Sequence, residues 1–392
     1  MFNLDLLTAE EPEENHFYIQ PQTEQFNFDI ITNTNKYKEN VKYAEENDLV
    51  RDICDEQYSN LNDEELAQLD ESLYIHVVQK SPSWLRLREL SCGTASNIGK
   101  YLYNKEVKFS NIREVCNLWE EKLQKNPFEK THTTDGHMSW GVKYEDLALI
   151  HLAIEEKVGV IQVGSIKVEL IDILNLGKQI YGKNWIDLNL DTHNKYILVS
   201  PDGIVGKPEA ILNPKGTYKE LLGMLEIKCI SPFHHISTID NKLKWVENIQ
   251  KREWHSADKI PYVYIVQQAL QAISGVLFYN MKSNHIMWFI RWSPTGMSIF
   301  KFKFIDLVKL GVLVANLYFS FYNKIKTEED IQRLYPLANN EAKLETMIEK
   351  QYLNVINNAQ FKYVKIEDYP EFNEYYKSTR NNVFYVNESY LN

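Results

Sequence analysis

The order in which helix-like and strand-like stretches follow one another is the strongest constraint on what this chain can fold into. From residue 158 onward the apolar spacing changes from helical to alternating, in VGVIQVGSIKVEL, YILVSPDGIV and MLEIKCI, and again in HIMWFIRWSPTGMSIFKFKF. Period-two alternation bounded by turn residues marks strands, and Pro-Thr-Gly inside the last stretch marks a hairpin turn. One helical stretch, PYVYIVQQALQAISG, separates the last two. Ahead of them the spacing is helical. NDEELAQLDESLYIHVV opens on Asn62 or Asp63 as an N-cap, and TASNIGKYLYN and NIREVCNLWEEKLQ follow. After a loop at 126–139, a helix is expected from Trp140 through WGVKYEDLALIHLAIEEK. Helices first, then a strand–strand–helix–strand–strand block, reads as a mixed α/β core with an N-terminal helical domain. Residues 1–40, rich in Glu, Asn, Gln and Thr, read as an irregular leader.

Charge qualifies the choice of partner. The formal net charge of −11 argues at first against nucleic acid. Residues 1–72, however, hold 19 Asp and Glu against 4 Lys and Arg, so the remainder is near +4. A basic groove in the body of the protein is compatible with that split. The opening MFNLDLLTAEEPEEN turns acidic at once, unlike a signal peptide. The most apolar run, LVKLGVLVANLYF at 307–319, is interrupted by Lys309 and Asn316 and reads as a buried amphipathic helix too short for a bilayer, so no membrane partner is expected. Cys54, Cys92, Cys116 and Cys229 are scattered, with no C-x-x-C pair. That usage fits a reducing, intracellular compartment rather than a zinc knuckle or a disulfide framework.

The chemistry concentrates in LEIKC at 225–229. Alternation sends Leu225, Ile227 and Cys229 to one face and sets Glu226 beside Lys228 on the other. Upstream, SPDGIV places Asp202 at a strand end between Pro and Gly, a turn that holds a carboxylate rigidly. Two carboxylates suit Mg2+, a hard cation with oxygen ligands. A bound metal polarises a phosphoryl oxygen and acidifies water, and a neighbouring lysine can orient that water. E-x-K alone is uninformative: it recurs at Glu106–Lys108, Glu120–Lys122 and Glu155–Lys157, in helices or loops. The plain alternative for 226–228 is a half-buried strand carrying a solvated ion pair.

Five stretches in order, SWLRLRELSCGTASNIG (83–99), WGVKYEDLA (140–148), SPDGIV (200–205), LEIKC (225–229) and YIVQQ (264–268), resemble the phage lambda exonuclease and viral (baculovirus-type) alkaline nuclease family of the PD-(D/E)xK nucleases. The resemblance covers about 80–305 and implies a restriction-endonuclease-like mixed sheet flanked by helices. It divides the chain into an acidic, partly irregular and helical region at 1–80, a nuclease core at 81–305 and a C-terminal helical extension at 306–392. Asp202 and Glu226 match the family's metal-binding and catalytic acids and Lys228 its catalytic lysine. Glu145 and the Ile227 carbonyl complete the metal set, and Gln267 matches the glutamine that orients the attacking water. Arg88, Ser96 and Ser200 match the pocket for a 5′-terminal phosphate, a role suited to a guanidinium fork and hydroxyl donors.

Three departures stand out. One extra residue separates Arg88 from Ser96, the insert KPEAILNPKGTYKELLG lengthens the Asp202–Glu226 connection, and Y-x-x-Q-Q makes Gln268 an alternative to Gln267. The activity implied is a Mg2+-dependent 5′-to-3′ exonuclease on duplex DNA with a free 5′ end, with Mn2+ as substitute and an alkaline optimum. Viral recombination or genome processing, a single-strand annealing partner, and the host nucleus for a nuclear DNA virus follow from the same resemblance. An endonuclease or a DNA/RNA nuclease with the same metal site is one alternative; a non-catalytic nucleic-acid-binding protein on a decayed fold is another. His234 and His235 diverge on an extended segment and make no joint metal site. His132 and His137 have no other ligand signature beside them. Trp288, Phe289 and Trp292 read as hairpin packing.

Overall fold

The computed structural model describes residues 28–105, 107, 110–123, 136–208, 220–231, 233–237, 242–245, 257–334, 337–379 and 383–385. Most of the expected leader, the loop around His132 and the middle of the insert at 207–223 lie outside these residues. The strands are β1 (Val50–Asp52), β2 (Gly93–Thr94), β3 (Gly159–Gln162), β4 (Ile166–Glu169), β5 (Tyr196–Val199), β6 (Gly203–Gly206) and β7 (Leu221–Cys229). They continue with β8 (Phe233–Ser237), β9 (Lys242–Trp245), β10 (Ile286–Ser293), β11 (Gly296–Lys303), β12 (Gln360–Lys365) and β13 (Val383–Tyr385). The helices are α1 (Asn35–Glu46), α2 (Asp63–Gln68), α3 (Pro82–Leu90), α4 (Ala95–Ile98), α5 (Ile112–Leu123) and α6 (Gly136–Glu156). Then come α7 (Leu170–Tyr181), α8 (Tyr262–Tyr279), α9 (Phe304–Lys324), α10 (Glu328–Gln332), α11 (Asn339–Asn357) and α12 (Pro370–Thr379).

A seven-stranded mixed sheet in the order β1-β3-β6-β7-β10-β11-β12 forms the centre. The step from β7 to β10 is parallel, which demands a crossover, and α8 lies on that connection. At Gly223, where φ is +158°, an added Cβ would meet the Ile286 carbonyl oxygen at 1.7 Å, so the strand needs glycine there. α6, joined by α1, covers one face; α8, backed by α9 and α11, covers the other. This is the mixed sheet flanked by helices of the restriction-endonuclease-like nuclease fold, preceded by a largely helical N-terminal part.

Both faces are therefore buried. Leu225 and Ile227 enter the core on the α6 side with Trp288 and Trp292, while Met224 and Phe289 enter the core on the α8 side. A fully buried Leu or Phe contributes about 1.5–3 kcal/mol, so each face is an apolar core in its own right. The tryptophans pack as expected from the hairpin.

The structure departs from the expected elements in five places, the last of them the strand segment around Ser200. Helix begins at Asn35, capped by the Thr34 hydroxyl, inside the stretch read as irregular. α6 starts at Gly136 rather than near Trp140. The expected amphipathic stretch 307–319 extends to 21 residues in α9, long and apolar enough by length and composition to cross a membrane, yet 89% of its most apolar window is buried inside the protein. Fourth, both edges of the central sheet come from outside 81–305: β1 pairs in parallel with β3, and β12 pairs antiparallel with β11. These edge strands are short or polar, and neither carries a strong alternating signal.

The segment YILVSPDGIV does not run as one strand. β5 pairs with β2 and β4 in a small three-stranded sheet, whereas β6 pairs with β3 and β7 in the central one. Ser200-Pro201-Asp202 is where the chain passes from one sheet to the other.

Candidate active site

That passage brings two groups of polar side chains together. On the central sheet, the Asp202 backbone N–H donates to the Leu225 carbonyl at 3.2 Å, and Asp202 Oδ2 accepts from the Ile227 N–H at 2.6 Å. β6 ends its pairing with β7 at Leu225, so the carboxylate takes the ladder position that a strand would otherwise fill. A residue's N–H and C=O leave a strand by the same edge, and the Ile227 carbonyl therefore points to the edge Asp202 occupies. Lys80, at φ +69°, donates to Glu145 Oε2 at 3.1 Å.

Glu226 is 0% exposed. Lys228 Nζ and Gln267 Nε2, the latter at 2.7 Å, both donate to its Oε1, and Gln271 Nε2 donates to its Oε2 at 2.6 Å. A solvated ion pair is thus excluded on this face. Taking a charged carboxylate out of water costs several kcal/mol, and three donors offset that here. Gln268, the alternative to Gln267, turns back to the Tyr264 carbonyl at 3.1 Å.

Burial, and then the charges of Glu226 and Glu145, raise the Asp202 pKa well above the ordinary aspartate value; Lys228 and the Ile227 N–H oppose this. Burial pulls the Lys228 pKa down, but Glu226 and Asp202 more than reverse it, and the net shift is upward. Negative charge is crowded at Asp202, the condition that a bound cation relieves. The donors at hand are carboxylate and carbonyl oxygens, which suit a hard divalent ion. Among the described residues, no three His, Cys, Asp or Glu side chains converge closely enough to enclose a metal by themselves. Asp202, Glu226 and the Ile227 carbonyl thus fit as a partial ligand set, the kind Mg2+ takes when substrate and water supply the rest.

The second group lies along α3 and the small sheet. Ser81 caps α3, accepting from the Trp84 N–H at 3.2 Å, and Pro82 follows at the first helical position. Trp84 and Arg88, four residues apart, share a face, with the guanidinium 4.1 Å from the indole ring centre. Arg88 donates to Ser96 Oγ at 3.0 Å and to Thr94 Oγ1 at 3.3 Å. Ser96 is in place despite the extra residue before it. The nearby acids Asp63 and Glu89 go to Arg86 instead. Burial pushes the Arg88 pKa down to about 10, so the guanidinium stays charged at neutral pH. The Trp84 indole N–H donates to Ser200 Oγ at 3.0 Å, Ser165 shares a hydrogen bond with Ser200 at 2.8 Å, and Gln79 holds the Pro201 carbonyl at 3.1 Å.

One cavity of about 140 Å³ joins the two groups, lined by Trp84, Arg88, Ser96, Ser200, Asp202, Glu226, Lys228 and Gln267 among others. Glu145 is not part of that lining; its charge reaches Asp202, while its carboxylate is tied to Lys80. Sequence reasoning passed over Trp84, Gln79, Lys80, Ser165 and Gln271. Two of these carried a signal: Trp84 stands four residues before Arg88, and Gln271 four after Gln267, the spacing of a shared helical face.

A buried acid–x–lysine pair on a central strand, beside an aspartate at a strand end, is the site arrangement of the PD-(D/E)xK nuclease class. Residues 83–276 match the YqaJ-like viral recombinase domain, part of the lambda exonuclease-like PD-(D/E)xK nuclease superfamily. The match starts inside α3 and ends inside α8, and so spans every candidate residue except Gln79 and Lys80. No curated protein and no solved structure matches the chain significantly.

Proposed function

We propose that the protein is a divalent-metal-dependent deoxyribonuclease that degrades duplex DNA from a 5′-phosphorylated end, in viral recombination or genome processing. One observation carries this reading: Asp202, Glu226, Lys228 and Gln267 share a single cavity with Arg88, Ser96 and Ser200. A cavity with hydrolytic groups and a guanidinium that meets no carboxylate among the described residues suits a substrate with two anionic groups close in sequence, a terminal phosphate and the next phosphodiester.

Asp202, Glu226 and the Ile227 carbonyl would hold Mg2+, with Mn2+ as substitute, and Glu145 would add charge from α6. The metal would supply Lewis acidity to the phosphoryl oxygen and to water. The protein's own groups do the rest. Lys228, a cation on the cavity wall, stabilises the charge that builds on the phosphate in the transition state. Gln267 offers an amide to orient water while anchoring Glu226. Arg88 grips the terminal phosphate through its planar fork, with Trp84 holding the fork still. Resection from a 5′ end leaves a 3′ single strand, which makes a single-strand annealing protein a fitting partner.

The test is digestion of linear and covalently closed duplex, with 5′-phosphate or 5′-hydroxyl ends, in Mg2+, Mn2+ or EDTA. Loss of the phosphorylated linear duplex in metal only, with the circle intact, is expected. Cutting of the circle would move the reading to an endonuclease; no cutting of DNA in either metal would overturn it.

A further inference from the structure

Gln271 lies one turn beyond Gln267 on α8 and is fully buried. Its Nε2 is 2.6 Å from Glu226 Oε2 and 3.5 Å from the Ser200 carbonyl oxygen. An amide nitrogen carries two hydrogens, and here each has its own acceptor. Among the described residues no hydrogen-bond donor meets Gln271 Oε1, although that oxygen is also buried. The imbalance fixes the orientation, because a flipped amide would set its oxygen against a carboxylate. It also speaks against a packing role, since an apolar side chain of similar size avoids the cost of a bare acceptor. Gln267 differs in two respects: it meets the other carboxylate oxygen, and it lines the cavity, whereas Gln271 stands behind the acid.

We propose that Gln271 is a positioning residue that couples the two halves of the site. It ties the acid on β7 to the backbone of Ser200, the residue at which the chain leaves the small sheet and whose hydroxyl lies in the phosphate pocket. Beside the bonds that Asp202 makes to β7, this amide adds a side-chain link between the terminal-phosphate pocket and the hydrolytic acid. This inference rests on the nuclease reading above.

The test compares wild type with Gln271→Met, which keeps length and helix propensity but removes both hydrogens. Turnover on duplex ends is expected to fall roughly tenfold or more, the loss typical of an outer partner of a metal-holding group, with KM for 5′-hydroxyl DNA near wild type. The ratio of 5′-phosphate to 5′-hydroxyl cleavage is expected to fall toward one. The corresponding binding ratio, measured by fluorescence anisotropy in EDTA, should fall with it. Wild-type turnover and ratios in a folded Gln271→Met overturn the coupling and leave the nuclease reading standing. If Gln271→Met does not unfold cooperatively, Gln271→Glu, of the same shape, must show both losses, and wild-type ratios in it are equally fatal. A wild type that cuts no DNA overturns both readings together.

Discussion

The Arg88 guanidinium lies over the Trp84 ring at 4.1 Å while bonding to the hydroxyls of Ser96 and Thr94, so its plane is fixed before any ligand arrives. A fixed fork loses little freedom on meeting a phosphate. Arg88→Lys, which keeps the charge but not the fork, should therefore erode the preference for 5′-phosphorylated over 5′-hydroxyl ends, by about tenfold for a loss near 1.4 kcal/mol. Competition cleavage of the two ends measures it, and an unchanged preference removes Arg88 from the pocket.

The same preference should depend on pH in one direction. A base with a pKa near 10 keeps its proton below that value and gives it up above. Discrimination between the ends should be flat from neutral pH to about 9 and weaken only at about 10 or above, because a bound phosphate opposes loss of the guanidinium proton. A decline centred near neutrality would point to another group.

Glu226→Gln should abolish cleavage while the protein still unfolds cooperatively, since the amide preserves shape and one of the two carboxylate acceptors. The loss should exceed the ~100-fold typical of outer partners of a metal site. Turnover close to wild type in a folded Glu226→Gln would remove the acid from the mechanism.

Lys228→Met should lower kcat far more than it raises KM, by roughly 100-fold or more, because its proposed contribution is made in the transition state. If affinity for DNA falls as much as turnover, the lysine is a phosphate clamp instead.

Asp202→Asn should be both inactive and more heat-stable than wild type in EDTA at neutral pH. An acid whose folded pKa is raised binds more protons folded than unfolded, so its contribution to stability is lost as pH rises toward that folded value. The asparagine removes this penalty. Mg2+ should then raise the melting temperature of wild type, by about 2.7 kcal/mol of stabilisation at a hundredfold excess over its dissociation constant, and leave Asp202→Asn unmoved. Equal shifts in both proteins would place the ion elsewhere.

Legibility in the sequence followed the range of the interaction. The β6–β7 unit could be read because Asp202 sits in a marked turn and Glu226 and Lys228 alternate with Leu225 and Ile227. The burial of Glu226 could not, since a period of two separates the faces without saying that α8 covers the second one. Lys80 meets Glu145 across 65 residues of chain, and no local pattern announces such a pair. β12, QFKYVK, reads as surface because its side chains largely are, yet its backbone completes the sheet. The split of YILVSPDGIV between two sheets is hidden for a related reason: pairing partners are a tertiary property, and a Pro-Asp-Gly turn marks a strand end without saying which sheet follows.

The seven-stranded sheet has a practical corollary for dissecting the protein. A piece trimmed to 83–276 would retain Arg88, Asp202, Glu226, Lys228 and Gln267, yet would forfeit β10, β11 and β12 on one side and β1 on the other. The strand bearing the acid and the lysine would become a raw border, its ladder groups open to any passing chain and its apolar side chains stripped of cover. Such a fragment should clump rather than stay in solution, so biochemical work on residues 83–276 has to carry both flanks with it.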